Sequence, residues 1–400
     1  MSLNNTPSAE RIHIGIFGRR NAGKSSLINA LTSQNLAIVS DIKGTTTDPV
    51  SKAMELLPLG PVVLIDTPGL DDTGSLGSLR IQKAYQMLNK TDIALLVLDG
   101  SVGITQEDRK VLDRIKEKKI PFLIVWNKSD LRNTCPSGYE ERKDVLFVST
   151  KTGEGIRELK ERLASLAPPE DTRKRIVGDL LHEGDLVYLI IPIDKAAPKG
   201  RLILPQQQTI RDILDSGAFA LCVRDTELAQ ALQRNGRKPD LVITDSQAFA
   251  AVSSIVPEAI PLTSFSILFA RYKGNLKALA QGARALDSLQ NGDHILICEG
   301  CTHHRQCEDI GTVKLPALIR RHTGLTDLSF SFTSGTEFPD NLSDYRLIVH
   351  CGGCMLNERE MKFRMACARD AGIPITNYGT AIAHMTGILA RSLQPFENLF

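Results

Sequence analysis

The chain has 400 residues, 42% of them hydrophobic and 24% charged, with a formal net charge of +2. That length allows two or three domains, each able to bury a core, and the near balance of charge argues against nucleic acid or an anionic membrane as a partner. The longest compact apolar runs, IALLVL and VYLIIPI, are strand-length and far too short to span a bilayer.

The opening MSLNNTPSAERIHIGIFG reads as a polar arm leading into a strand, without a basic segment and apolar core, so a cytoplasmic location is expected. Residues 11–165 then alternate strand-like runs (IHIGIFG, VVLIDTPG, IALLVLDG, FLIVWNKSD, VLFVST) with helical spacing in GKSSLINALT and QEDRKVLDRIKEKK. Strands separated by helices imply a mostly parallel sheet covered on both faces. The first domain is expected over 1–168, ending in the proline-broken, charged linker LAPPEDTRKR.

Four motifs in this domain point to one chemistry. GRRNAGKS places Gly18, Gly23, Lys24 and Ser25 at phosphate-loop spacing, after a strand and at the opening of a helix, with Ser26 next in line. Backbone N–H groups and the helix N-terminus would receive the phosphates, Lys24 the β- and γ-phosphates, and Ser25 Mg²⁺. DTPG sets Asp66 to hold Mg²⁺ through water and Gly69 to meet the γ-phosphate. In NKSD, Asn127, Lys128 and Asp130 follow another strand, and the Asp130 carboxylate matches the donor pair of guanine, which selects GTP. STKTGEG brings Ser149 to the base, and GTTTD offers Thr46 as a second Mg²⁺ hydroxyl, with Thr45 and Thr47 as rivals.

This set resembles the translation-factor-like GTPases of the TrmE–Era–EngA type. The resemblance implies slow intrinsic hydrolysis, because Leu70 stands where Ras-like enzymes carry a water-orienting glutamine. It also implies K⁺ activation through Asn21, which occupies the phosphate-loop position of the potassium-ligating asparagine.

A middle unit, expected over 169–264, carries strand-like DLVYLIIPI, FALCVRD and PDLVITDS with helical QQQTIRDILDSG and TELAQALQRNG. It shows no catalytic constellation and reads as an assembly module. A third unit, 265–400, places DHILICEG, YRLIVHCGGC and GIPITNYG as strands between RYKGNLKALAQGARAL and NEREMKFRMACARDAG as helices. The expected fold is therefore α/β: an N-terminal P-loop GTPase domain followed by two smaller α/β domains with largely parallel sheets.

Five of the eight cysteines lie in the third unit between 298 and 354, whereas Cys135, Cys222 and Cys367 are scattered and read as small buried hydrophobes. In a reducing compartment such a cluster reads as metal binding. CEGCTHHRQCE and HCGGC both follow apolar strands, at the ends where open α/β sheets bind ligands. Two readings stay open at this point. One is structural zinc on Cys298, Cys301, Cys351 and Cys354. The other is an iron–sulfur cluster on three thiolates, with His303, His304, His350 or Glu308 near the fourth position.

The joint pattern, Cys301-x-His303, 46 residues, then His350-Cys351-x2-Cys354, resembles the HydF family of FeFe-hydrogenase maturation GTPases over essentially the whole chain. The resemblance implies a 4Fe–4S cluster on Cys301, Cys351 and Cys354 and a diiron precursor as cargo. It also implies a dimerising middle domain, and two radical-SAM maturases and apo FeFe-hydrogenase as partners. His303 is the expected fourth or near ligand, with Glu308 and His350 as alternatives. His350 is the weaker, since on a strand its side chain points away from that of Cys351. Cys298 and Cys307 are bystanders in this reading, and His322 and His384 are ordinary surface or helix histidines. The rival assignment is an RNA- or ribosome-associated GTPase with structural zinc in its C-terminal domain.

Overall fold

The computed structural model describes residues 8–32, 50–69, 83–131, 142–167, 174–193, 202–300, 309–335, 337–339 and 341–399. The chain divides into two compact units, Met1–Thr172 and Arg173–Phe400. No helix among the described residues is long and apolar enough to cross a membrane.

Among the described residues the first unit is built on six strands: β1 (Ile12–Phe17), β2 (Val50–Leu56), β3 (Gly60–Asp66), β4 (Ile93–Asp99), β5 (Phe122–Asn127) and β6 (Val145–Phe147). Their order is β2-β3-β1-β4-β5-β6, with every pair parallel except β2 with β3. The central strands are buried on both faces, so their sequences are continuously apolar and do not alternate. Leu27, Ile28 and Leu31 of the helix Lys24–Thr32 join the core on one face, and Val111, Leu112 and Ile115 of the helix Gln106–Glu117 join the other. Thr105 and Asp108 close that second helix with a reciprocal capping box. The helices after β1 and β4 thus leave these adjacent strands toward opposite faces, which opens a crevice at their carboxyl ends.

Among the described residues the second unit carries two four-stranded sheets, parallel throughout. One has the order β10-β9-β7-β8, from β7 (Leu186–Ile190), β8 (Phe219–Val223), β9 (Leu241–Thr244) and β10 (Leu262–Ser264). The other has the order β12-β11-β13-β14, from β11 (His294–Glu299), β12 (Ser329–Ser334), β13 (Leu347–His350) and β14 (Ile375–Asn377). One apolar core runs from Ile176 and Tyr188 through Phe265 and Leu268 to Leu296, Ile348 and Phe396, uniting the first sheet with one face of the second. Ile295, Ile297, Leu347 and Val349 form a separate core on the other face. The expected boundary at 264/265 falls where β10 passes directly into the helix Phe265–Lys273.

Candidate functional site

In the first unit the motif residues gather at the carboxyl ends of β1, β3 and β5. Lys24 is the first residue of its helix, and its Nζ donates to the carbonyls of Gly18 at 2.9 Å and Arg19 at 2.8 Å. Gly23 has a φ of +95°, and a Cβ there would lie 2.1 Å from Asn127 Nδ2, so only glycine fits this turn. Asn127 is 1% exposed and ties three segments together: Nδ2 donates to the Ala22 carbonyl at 2.9 Å, and Oδ1 accepts the Thr150 N–H at 3.2 Å. Its role as a brace between the phosphate loop and the base loop is not apparent from the NKSD motif alone. Asp130 is exposed and accepts from Ser149 Oγ at 2.7 Å, which orients its carboxylate. Lys128 takes a φ of +64° and pairs with Asp99 at 2.6 Å. Asn21, at φ +59°, is exposed on the loop, and Ser26 is exposed on the first turn of the helix. Gly69 closes the DTPG segment half-buried.

Ser25 Oγ donates to Asp66 Oδ2 at 2.8 Å. Burial pushes the Asp66 carboxyl up, with the Ser25 bond and the Lys24 charge pulling the other way. Its second oxygen, Oδ1, is buried with no hydrogen-bond partner among the described residues. A hydroxyl and a buried carboxylate with spare acceptor capacity fit the oxygen-donor preference of Mg²⁺. Thr46 and Leu70 lie outside the described residues.

The second centre lies at the carboxyl ends of β11 and β13. Cys298 pairs with His350 across these strands, and the Cys351 N–H continues the ladder to the Cys298 carbonyl at 2.8 Å. Side chains alternate along a strand. Cys298 therefore points with Leu296 and Ile348 into the large core, fully buried, while Cys351 lies with Ile297 and Val349 on the opposite face. A four-thiolate zinc site containing both Cys298 and Cys351 does not match that geometry. The following helices leave β11 and β13 toward opposite faces as well: Leu315 and Ile319 pack under one face and Ala368 under the other. The site thus occupies the switch point of its sheet.

Cys351 Sγ accepts the N–H groups of Gly300 at 3.0 Å and Gly353 at 3.4 Å. Burial pushes its thiol up to about 11, partly offset by those two N–H groups. The Cys354 thiol is raised by burial too, with the Lys273 ammonium acting against it, and the charges of the two thiols oppose one another. Soft sulfurs that receive backbone N–H bonds form a donor set suited to iron–sulfur or zinc chemistry. Gly353 has a φ of +64°, and a Cβ there would meet Met361 Sδ at 2.7 Å, whereas Gly352 faces open space.

Three features around this loop were not legible in its motif. Lys273, 2% exposed, donates to the carbonyls of Gly353 at 3.2 Å, Cys354 at 2.9 Å and Leu356 at 2.8 Å, so one buried ammonium pins the CGGC turn. Fully buried Arg364 donates to Glu360 at 2.9 Å, His350 Nε2 at 2.9 Å and the Gly335 carbonyl at 2.8 Å. His350 Nδ1 in turn donates to the Cys351 carbonyl at 2.8 Å. Both ring nitrogens of His350 are thereby engaged, which corrects its standing as an alternative ligand. Burial, then the Arg364 charge, pushes this imidazole down to about 3, so it is neutral at ordinary pH. Finally, Glu299, 5% exposed, accepts from Tyr378 Oη at 3.4 Å on the Cys351 face of the sheet. Burial, and then the charges of Cys351 and Glu299, raise the Tyr378 hydroxyl, placing all three groups in one neighbourhood. Cys301, His303 and Glu308 lie outside the described residues.

Three family models match successive parts of the chain. Residues 13–128 match the family model described as a 50S ribosome-binding GTPase. Residues 176–274 match the hydrogen maturase F dimerization domain, and residues 277–395 the hydrogen maturase F tetramerization domain. Lys273 and the CGGC turn that it pins therefore fall in different matched domains. The tRNA modification GTPase MnmE of Desulforamulus reducens is 38% identical over 157 residues, covering 38% of this chain and 33% of that protein. MnmE of Nitrosomonas eutropha is 39% identical over 149 residues, with 37% and 33% covered. The chain thus spans about a third of the length of these curated relatives. Among solved structures, Aquifex aeolicus Era bound to GDP.AlF4- is 20% identical with a TM-score of 0.34, over 56% of this chain and 98% of that one.

Proposed function

Because the chain belongs to the hydrogen maturase F family, with two domains of that family beside a GTPase domain, we propose that it is a GTP-hydrolysing scaffold and carrier. It binds a 4Fe–4S cluster through Cys301, Cys351 and Cys354 and assembles or delivers the diiron precursor to apo FeFe-hydrogenase. Two radical-SAM maturases are the partners expected to load it. The working location is the cytoplasm.

The observation that carries the cluster assignment is the asymmetry of the thiols. Cys351 and Cys354 share a neighbourhood at the strand ends, while Cys298 is committed to the core on the other face. With Cys307 set aside, as the family pattern implies, that leaves three thiolates, including Cys301, and a fourth position for a different donor. His303 and Glu308 remain the proposed donors, and Glu299 adds a buried carboxylate close by. Bound there, the cluster would supply an exchangeable iron corner at which a second iron unit can dock. Lys273 holds the CGGC carbonyls, the Gly300 and Gly353 N–H groups stabilise negative charge on the Cys351 sulfur, and Arg364 fixes the strand end through His350.

In the GTPase domain, Lys24 and the helix N-terminus receive the phosphates, Ser25 and Asp66 hold Mg²⁺ with Thr46, and Asp130 reads the guanine. K⁺ at Asn21 would take the place of an arginine finger. Hydrolysis then alternates two loop states and gates partner exchange. A homodimer suits β8, an edge strand whose Phe219 is 59% exposed.

The test of delivery is transfer. Protein loaded by the two maturases and freed of them is expected to restore hydrogen evolution to apo FeFe-hydrogenase, and Cys354→Ala protein treated identically is not. Equal activation by both proteins would remove the cluster from the delivery step.

A further inference from the structure

His322 and His384 read as unremarkable histidines in the sequence, yet the fold brings both onto one carboxylate, Asp287. His322 Nε2 lies 2.9 Å from Asp287 Oδ1, and His384 Nε2 lies 2.9 Å from Asp287 Oδ2. The two rings meet edge to face with centroids 5.7 Å apart. One ligand atom from each of the three residues lies within 4.8 Å of the others.

The mounts are rigid. Asp287 sits on the short 3₁₀ helix Arg284–Ser288, His322 on the helix Leu315–Thr323, and His384 on the helix Tyr378–Met385. Leu286, Ile319, Ala381 and Ile382 of these same elements share one buried core, so the three side chains project from backbone that packing holds in place. The histidine side chains are 25% and 17% exposed, and Asp287 is 56% exposed, so the cluster has a walled inner side and an open outer one.

Negative charge from two helix ends and a carboxylate meets at the histidines, while Arg284 and Arg321 stand on the same elements. Each histidine stands in the last turn of its helix, where the carbonyl ends carry partial negative charge, and the Asp287 carboxylate lies between them. Arg320, on the same turn as His322, is directed to the Leu328 carbonyl and the Phe330 ring. The hydrogen bonds that Asp287 accepts from both histidines, the His322 bond foremost, outweigh the opposing effect of burial and keep its carboxyl below the usual range.

We propose that Asp287, His322 and His384 form a binding site for a divalent transition-metal ion, with Zn²⁺ the best-matched occupant. These three residues belong neither to the nucleotide motifs nor to the cysteine motifs. Imidazole nitrogens suit Zn²⁺ and its neighbours in the first transition row, and not Mg²⁺ or Ca²⁺. Zn–N and Zn–O bonds of about 2.0–2.2 Å place tetrahedral ligand atoms roughly 3.3–3.5 Å apart. The two 2.9 Å contacts are to different Asp287 oxygens, so a site on one oxygen keeps one of them and draws the remaining separations, which span up to 4.8 Å, inward to that distance through rotation of the exposed carboxylate and the rings. On binding, each Nε2–H···O bond gives way to an Nε2–metal bond, and the ring proton is carried on Nδ1. Three protein ligands leave the fourth position open on the exposed side, so the bound ion is exchangeable and takes water or an incoming anion there.

The test titrates Zn²⁺ into the metal-stripped full-length chain against a chromophoric chelator, comparing wild type with Asp287→Asn, His322→Gln and His384→Gln. Zinc held by cysteines is common to all four proteins and cancels in the difference. Each variant is expected to hold one tight equivalent fewer than wild type, and Zn²⁺ is expected to raise the melting temperature of wild type more than that of any variant. Far-UV circular dichroism identifies any variant that fails to fold, and for that position the alanine substitution replaces it. Equal zinc content in all four proteins, or a loss confined to one of the three positions, would overturn the site.

Discussion

Replacing Lys24 with alanine is expected to slow GTP hydrolysis by about 10²–10³-fold, the usual consequence of removing one donor aimed at transition-state charge. The Lys24 ammonium is largely buried at the first turn of its helix, bonded to the Gly18 and Arg19 carbonyls. It therefore stands inside the loop that receives the phosphates, where a charge acts through less water than at the surface. Alanine keeps the helix, because it is the strongest helix former and this position donates no internal helix bond. The loss should therefore appear in single-turnover phosphate release, with the far-UV spectrum unchanged. A decrease below about tenfold would remove Lys24 from the role assigned to it. Preloaded Lys24→Ala protein also separates two uses of GTP: if it still activates apo-hydrogenase, hydrolysis serves loading or partner release and not delivery.

The second large effect belongs to Arg364. Its guanidinium satisfies Glu360, His350 and the Gly335 carbonyl at once, from a fully buried position. Arg364→Ala leaves the Glu360 carboxylate, itself 4% exposed, without its partner. Breaking a buried pair from one side costs about 3–5 kcal/mol, because the remaining charge is desolvated and unpaired. For a unit of this size that corresponds to a fall in melting temperature of about 6–20 °C. Glu360→Gln combined with Arg364→Met should recover part of the loss, since the pair is then removed whole and replaced by neutral groups. The measurement is a melting curve of wild type and the variants. A drop of under about 1 kcal/mol in the single variant would mean that the pair is effectively solvated.

What the sequence made legible follows from how local each signal is. The strands found from sequence include β1, β4 and β5, whose burial on both faces makes them continuous apolar runs. The strands left out, β2, β10 and β12, are all sheet edges. β2 and β12 are half-exposed and carry polar residues, as in VSKAMEL and SFSFTS, which dilutes the signal, whereas β10 is buried but only three residues long. The phosphate loop was readable because its geometry is set within eight consecutive residues. The supports of the cysteine turn were not: Lys273 reaches Gly353 across 80 positions, and Tyr378 reaches Glu299 across 79. His322 and His384 look ordinary for the same reason, since only the packed helices reveal the carboxylate they share.

The central claim is that the cysteine centre holds iron and sulfide on three thiolates. It is tested most directly by anaerobic reconstitution of the full-length chain with ferrous iron and sulfide, followed by metal and sulfide analysis and low-temperature EPR after reduction. The account predicts brown protein carrying four iron and four sulfide per chain, with a reduced 4Fe–4S signal that is lost in Cys351→Ser and in Cys354→Ser but retained in Cys298→Ser. Colourless protein holding one zinc ion on four unreactive thiols, with Cys298 among those that release it when replaced, would contradict it.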